Sequence, residues 1–217
     1  MRKDSKIGVV LLAAGGSTRL GIPKQLVNYE GTTLIEHAVR VFRSGSKGPL
    51  AVVLGCHASL LKNLVYSLKL PDVHPVVHSG WEDGMGSSLA FGISQLLGMK
   101  RRLSGFLIGL CDQPFLNPTI VRKITTLHKL HDGTIIASRY KGAIGPPVCF
   151  PEVFGPRLAA CSGDRGARDI LYEHHDSLIF LDHPDLALDI DYPEDLENLK
   201  FRNQTQETHE HTIDDKR

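Results

Sequence analysis

Ile7-Gly8-Val9-Val10-Leu11-Leu12-Ala13-Ala14, followed at once by Gly15-Gly16-Ser17-Thr18-Arg19-Leu20-Gly21-Ile22-Pro23-Lys24-Gln25-Leu26, is the stretch whose reading decides the fold. A short, unbroken apolar run suits a strand buried on both faces. The small residues after it let the backbone turn tightly and approach a ligand. Successive N–H groups in such a loop form an anion-binding concavity. Arg19 then adds a planar fork suited to phosphate oxygens, and Lys24 a point charge. The loop is not a Walker A motif, since no Gly-Lys-Ser/Thr ends it, and it is not G-x-G-x-x-G. On physics alone, a glycine-rich turn with incidental surface cations is the competing reading. Met1 to Lys6 is basic and precedes the apolar run, as in a signal peptide. The run stops at Ala14 and breaks into the polar loop, so a strand and a functional loop fit better.

Working outward, Leu50–Gly55, Gly105–Cys111 and Thr134–Ala137 repeat the buried-strand pattern. Between them, Leu34, Ile35, Ala38, Val39 and Phe42 share one helical face, as do Leu60, Leu61, Leu64, Val65 and Leu68. Ile120, Val121, Ile124 and Leu127 form a third such face, opened by Asn117 and Pro118 as N-cap and first helical residue. Strand–helix alternation predicts an α/β fold with a mostly parallel sheet. Pro75 argues against a central strand at Val73–Val77. From Gly142 the pattern changes. Short strands are expected at Val148–Phe150, Leu178–Leu181 and Leu186–Ile190, with room for an antiparallel element. From about Arg202 to Arg217 the chain is polar, which predicts a disordered tail after a single domain over residues 1–201.

The composition is that of a globular protein, with 41% apolar and 23% charged residues. A formal net charge of +1 gives no global attraction to nucleic acid or membrane, so neither is expected as a partner. Any polyanionic ligand must be met by local groups. Cys56, Cys111, Cys149 and Cys161 have no zinc spacing and read as reduced thiols of a cytoplasmic protein.

In an open parallel sheet, ligands bind outside the carboxyl ends of the strands. Asp112, in Gly109-Leu110-Cys111-Asp112-Gln113-Pro114, follows one such strand. Asp189 and Asp191 lie further on, and strand alternation would put both on one side. Mg²⁺ takes one or two protein carboxylates and fills its shell with phosphate oxygens and water. Asp112 could equally open a turn before Pro114, and Asp191 could sit near the start of a helix. Ser87 and Ser88, in Gly84-Met85-Gly86-Ser87-Ser88-Leu89, are candidate ligand contacts or ordinary helix caps. Arg165 and Arg168 could belong to a solvated helix start.

Taken together, these segments resemble the molybdenum-cofactor nucleotidyltransferases, within the nucleotidyltransferase superfamily. Leu12 to Leu26 is similar to the signature LAAGxSxRxGxPKxL, and Asp112 and Asp191 match a (G/C)DxP motif and a D-x-D-T-P-E-D-L motif. Tyr192 stands where that last motif often has Thr. Gly84–Leu89, Gly145–Phe150 and Gly163–Arg168 resemble the GMSxSL, GxPVxF and GDxGAR segments. The resemblance implies a Rossmann-like three-layer sandwich of nucleotide-diphospho-sugar transferase type. It implies that Leu12, Ala13, Ala14, Gly15, Gly16, Ser17, Arg19, Lys24, Gly86, Ser87 and Ser88 bind the nucleotide. Lys24, Arg19 and Asp112 would be catalytic, and Asp112 and Asp191 would hold Mg²⁺. Gln113, Pro147, Arg165 and Arg168 would face a phosphorylated pterin acceptor. LAAG rather than LAGG favours CTP over GTP, so the expected reaction transfers CMP to molybdopterin and releases pyrophosphate. Two other readings stand beside it: a nicotinamide-dependent reductase of the nicotine-blue type, and a non-catalytic protein that delivers molybdopterin to a molybdenum hydroxylase.

Overall fold

The computed structural model describes residues 6–190, 192 and 194–196. The apolar run over Ile7–Ala14 forms β1 (Lys6–Ala13), whose side chains are buried on both faces from Ile7 onward. The remaining strands are β2 (Asn28–Tyr29), β3 (Thr32–Thr33), β4 (Leu50–Leu54), β5 (Val73–Val77), β6 (Leu103–Leu110), β7 (Ile136–Tyr140), β8 (Ala143–Pro151) and β9 (Ile179–Asp182). The helices are α1 (Leu34–Gly45), α2 (Ala58–Ser67), α3 (Met85–Gly98), α4 (Pro118–Leu130), α5 (Gly155–Leu158) and α6 (Arg168–Glu173).

Seven strands form one sheet in the order β5-β4-β1-β6-β8-β7-β9, while β2 and β3 pair as a separate hairpin. Pairing is parallel for β5-β4-β1-β6 and for β7-β9, and antiparallel on both sides of β8. β7 and β9 therefore run in the direction of β1 and β6, and all of them end at the same edge. Alternation along β1 divides the core. Val9, Leu11 and Ala13 face a cluster built with α1, α2 and α4, and Val10 and Leu12 face one built with α3, α5 and α6. The result is a three-layer α/β fold.

Local chemistry sets the helix starts. Thr33 and Glu36 cap α1 reciprocally, with Thr33 N donating to Glu36 at 3.0 Å. The Asn117 side chain accepts from the amides of Thr119 and Ile120 at 3.0 and 3.1 Å, and Pro118 opens α4 as expected.

Several expectations move. The strand expected over Thr134–Ala137 begins at Ile136, because the chain turns at Gly133 (φ 81°) and Thr134 N bonds back to His131 O. The reading of Val73–Val77 holds, since β5 is an edge strand and not a central one, where Pro75 is tolerated. Leu186–Ile190 is not a strand. Pro184–Ala187 forms a 3₁₀ turn instead, and Ile190 leaves the sheet to pack with Leu20, Val27, Tyr29 and Leu34. The alternation argument for Asp189 and Asp191 therefore fails. Asp191 and the expected tail over residues 202–217 lie outside the described residues. Among the described residues, no helix is long and apolar enough to cross a membrane.

Candidate functional site

The chain visits β1, β4 and β5 in turn, then returns through α3 to β6 on the other side of β1. Strand order reverses there, so a crevice opens beyond the ends of β1 and β6. Two segments singled out in the sequence, the loop after β1 and Cys111–Pro114 after β6, meet in it.

The loop is held from beneath. Gln25 is buried, and its side-chain amide donates to the carbonyls of Ala13 and Gly15 at 3.1 and 2.8 Å. Lys24 N donates to Ser17 Oγ at 3.0 Å, and Ser17 itself sits in the left-handed region (φ 53°). On one side, the Trp81 side chain spans from Gly55, where any Cβ would collide with it, to Gly16. On the other side the space is open: a Cβ at Gly15 would meet no atom within 4 Å. Among the described residues, the amides of Gly16, Ser17 and Thr18 donate to no backbone carbonyl. The loop thus carries three backbone donors that no backbone carbonyl among the described residues takes up.

Lys24 turns across the crevice, and its Nζ meets Asp112 Oδ2 at 2.5 Å. Both side chains are mostly buried, and Asp112 Oδ1 accepts no hydrogen bond among the described residues. Cys111 N donates to Leu12 O at 3.2 Å, fastening the start of the segment after β6 to the end of β1. The Cys111 thiol is pushed up to about 12, by burial first and then by the Asp112 carboxylate, which makes it a poor nucleophile.

Beyond Asp112 lies a polar group that includes Tyr140. Gln113 is buried and donates to Pro146 O at 3.1 Å and to the Tyr140 hydroxyl at 3.4 Å; that hydroxyl donates to Pro146 O at 3.2 Å. Pro147 is buried, and its carbonyl accepts from Ser138 Oγ at 2.9 Å. The Tyr140 phenol is pushed up to about 12, by burial first and then by the nearby Asp189 charge, with the Arg168 charge acting in the opposite sense. Asp189 and Arg168 thus act on the same phenol that Gln113 touches.

The other expected residues are placed less centrally. Arg19 is exposed, with its guanidinium 5.9 Å from the centre of the Tyr192 ring. Arg165 is exposed and pairs with Asp169 at 2.9 Å. At the start of α3, Gly86 N donates to Gly163 O at 2.6 Å, and a Cβ at Gly86 would collide with Ser162. Ser87 Oγ bonds to the carbonyls of Gly80 and Gly84 and contacts His78, and Ser88 is buried. These three residues are engaged with the protein itself. Gln25, Trp81 and Tyr140 were not singled out from sequence. A glutamine in an apolar stretch after Lys24 was a readable signal for the first. Tyr140 and Trp81 depend on long-range packing that no local pattern records.

Asp112 suits a hard cation: it offers a buried anionic oxygen without a hydrogen-bond donor among the described residues. Among those residues, no group of three or more His, Cys, Asp or Glu is gathered as a metal cage. That donor set fits Mg²⁺, which takes few protein ligands and relies on phosphate and water.

Comparison with known proteins identifies the family. The MobA-like NTP transferase domain family matches residues 9–178. The nicotine blue oxidoreductase of Paenarthrobacter nicotinovorans is 33% identical over 171 residues, covering 75% of this chain and 79% of that protein. A probable molybdenum cofactor guanylyltransferase of Bacillus cytotoxicus is 27% identical over 116 residues, or 54% of each chain. Among solved structures, Rv0371c of Mycobacterium tuberculosis H37Rv superposes with a TM-score of 0.75 at 28% identity, over 90% of this chain and 97% of that one. A second structure of Rv0371c, complexed with manganese, gives 0.71 at 27% identity over 90% and 98%. The chain belongs to the MobA-like NTP transferase domain family and is a nucleotidyltransferase.

Proposed function

We propose that this nucleotidyltransferase moves CMP from CTP to a phosphorylated pterin, with Mg²⁺, and releases pyrophosphate. The observation that carries the reading is the meeting of Lys24 with Asp112 at the open side of the glycine loop. The chemistry is electrostatic, because two polyanions must approach each other in a protein of almost no net charge. The amides of Gly16, Ser17 and Thr18 receive phosphate oxygens, and Lys24 moves from Asp112 toward the α-phosphate, where charge builds up. An acceptor phosphate oxygen attacks the α-phosphorus in line, the bond to the β-phosphate breaks, and pyrophosphate leaves. Asp112 and Asp191 would hold Mg²⁺, which would supply positive charge against the repulsion between the phosphates. Arg19 closes over the outer phosphates, while Gln113, Pro147 and Arg168 face the acceptor and Arg165 joins them on leaving Asp169. No protein nucleophile is required. The Leu12-Ala13-Ala14-Gly15 run supports CTP as donor.

The deciding experiment incubates the protein with Mg²⁺, each NTP in turn and molybdopterin, and measures pyrophosphate. Release with CTP well above the other nucleotides is expected; release with GTP alone would overturn the donor assignment, and none with any NTP would overturn the reaction.

The 33% identity to a nicotine blue oxidoreductase supports a second reading, reduction of an acceptor by a nicotinamide cofactor. The start of α3 is the natural place for a dinucleotide, yet the Gly86 amide is bonded to Gly163. Loss of absorbance at 340 nm with a quinonoid acceptor, without pyrophosphate release, would favour this reading. Copurification with a molybdenum hydroxylase, without either turnover, would favour a carrier.

A further inference from the structure

A cavity of about 560 Å³ lies at the ends of β7 and β9, lined by residues that include Arg139, Tyr140, Lys141, Ile144, His175 and Asp182. It opens on the same sheet edge as Asp112, because β7 and β9 run in the direction of β6. The end of β7 is two strands from β6, which at ~4.8 Å per strand is about 10 Å. Tyr140 joins the two places: it lines the cavity, and its hydroxyl receives the Gln113 amide next to Asp112.

The lining has a definite chemistry. Arg139 grips Asp182 with two bonds of 2.7 and 3.0 Å and lies 5.0 Å above the Phe180 ring, with His175 against the same ring at 5.5 Å. In the pair as it stands both Asp182 oxygens are taken by Arg139, and the guanidinium's Nη1 is left to donate. Ile144 adds an apolar wall, and Lys141 and His175 add polar groups at the rim. Once Asp182 exchanges its guanidinium partner for a ligand, it can accept two parallel N–H bonds from an amide-and-amine edge, and the Arg139 thus released can donate to the adjoining carbonyl. The 2-amino-4-oxo edge of a pteridine carries that combination. Both the volume and the mixed lining suit one such ring system.

We propose that this cavity seats the pterin ring of the acceptor, with Asp182 and Arg139 reading its amide edge, while the acceptor's phosphate reaches back to Asp112. The inference rests on the reaction proposed above for the identity of the acceptor, but its test does not require turnover.

Pterin-6-carboxylate is fluorescent and lacks a phosphate, so it probes the ring site alone. Titrated into the full-length protein, it is expected to bind saturably. Asp182→Asn and His175→Ala should each weaken binding about ten-fold, while CTP affinity by calorimetry stays unchanged. Phosphate and glycerol phosphate should not displace the probe. Equal binding by wild type and both variants, or displacement of the probe by CTP, would overturn the assignment. Binding lost in the variants alongside no pyrophosphate release from any NTP would keep the ring site and discard the transfer reaction.

Discussion

The amide of Ile190 donates to the carbonyl of Asp112 at 3.2 Å, so the segment that carries Asp189 is fastened to the acid after β6. Ile190 anchors that segment by burying its side chain with Leu20, Val27, Tyr29 and Leu34. This cluster includes Leu20 of the glycine loop, so one small core ties the loop to the segment that carries Asp189. Ile190→Ala is expected to cost about 2–5 kcal/mol of stability. It should also raise the Mg²⁺ concentration for half-maximal turnover about ten-fold, as loss of support around metal ligands does. Urea unfolding and a Mg²⁺ titration at constant CTP measure the two effects. A stability loss with no change in the Mg²⁺ requirement would show that the anchor does not serve the metal.

Lys24 and Asp112 act as a unit in the proposed reaction. Lys24→Ala and Asp112→Asn should each lower kcat about 10²-fold or more. Because the two groups share one task, the double variant should be far less impaired than the product of the single losses. Steady-state rates of the folded variants, with circular dichroism as the control for folding, provide the test. Near-normal rates in either single variant, or fully multiplicative losses, would count against the shared role.

How legible this arrangement was depends on the range of the interactions that create it. β1, β4, β6 and the helices α1, α2 and α4 were readable because each has its own apolar period or cap, as Asn117 and Pro118 show for α4. The meeting of Lys24 and Asp112 was legible only in part: topology puts both at the ends of neighbouring strands, and resemblance supplied their roles. The C-terminal segment was misread because Leu186 and Ile190 are apolar at alternate spacing for unrelated reasons. Leu186 packs on the α1–α2–α4 side of the sheet, and Ile190 packs under the glycine loop. Trp81 and Tyr140 were invisible because their partners, Gly16 and Gln113, are distant in sequence.

Trp81 is the single tryptophan, and its ring lies against Gly55 and reaches Gly16 in the loop. Its emission should therefore report on the loop. CTP with Mg²⁺ is expected to change the fluorescence saturably, with a midpoint close to the CTP affinity measured by calorimetry. Arg19→Ala should shift both midpoints upward together, by about ten-fold, since charged contacts to phosphate are of that strength. Calorimetric binding without any spectral change would mean that the nucleotide leaves the loop undisturbed.

Two histidines, the buried His128 and the half-buried His37, set an acid limit on the fold. His37 is held below the usual histidine range by burial, opposed in part by its bond to Leu116 O at 3.0 Å. His128 is likewise lowered by burial, opposed by its contact with Ser104 O at 3.2 Å. In the unfolded chain both titrate near the ordinary value of about 6.5. Between that value and the lower folded one, the unfolded state binds more protons, so stability rises with pH and falls on acidification. The contribution is fully present above about pH 6.5 and is lost as pH drops toward the folded values, by at most about 1.4 kcal/mol per pH unit for each histidine. Urea midpoints measured from pH 7.5 to 5.0 should decline, and His128→Asn should flatten the decline while lowering stability at pH 7.5. A variant with the same slope as wild type would show that His128 is not a source of the acid sensitivity.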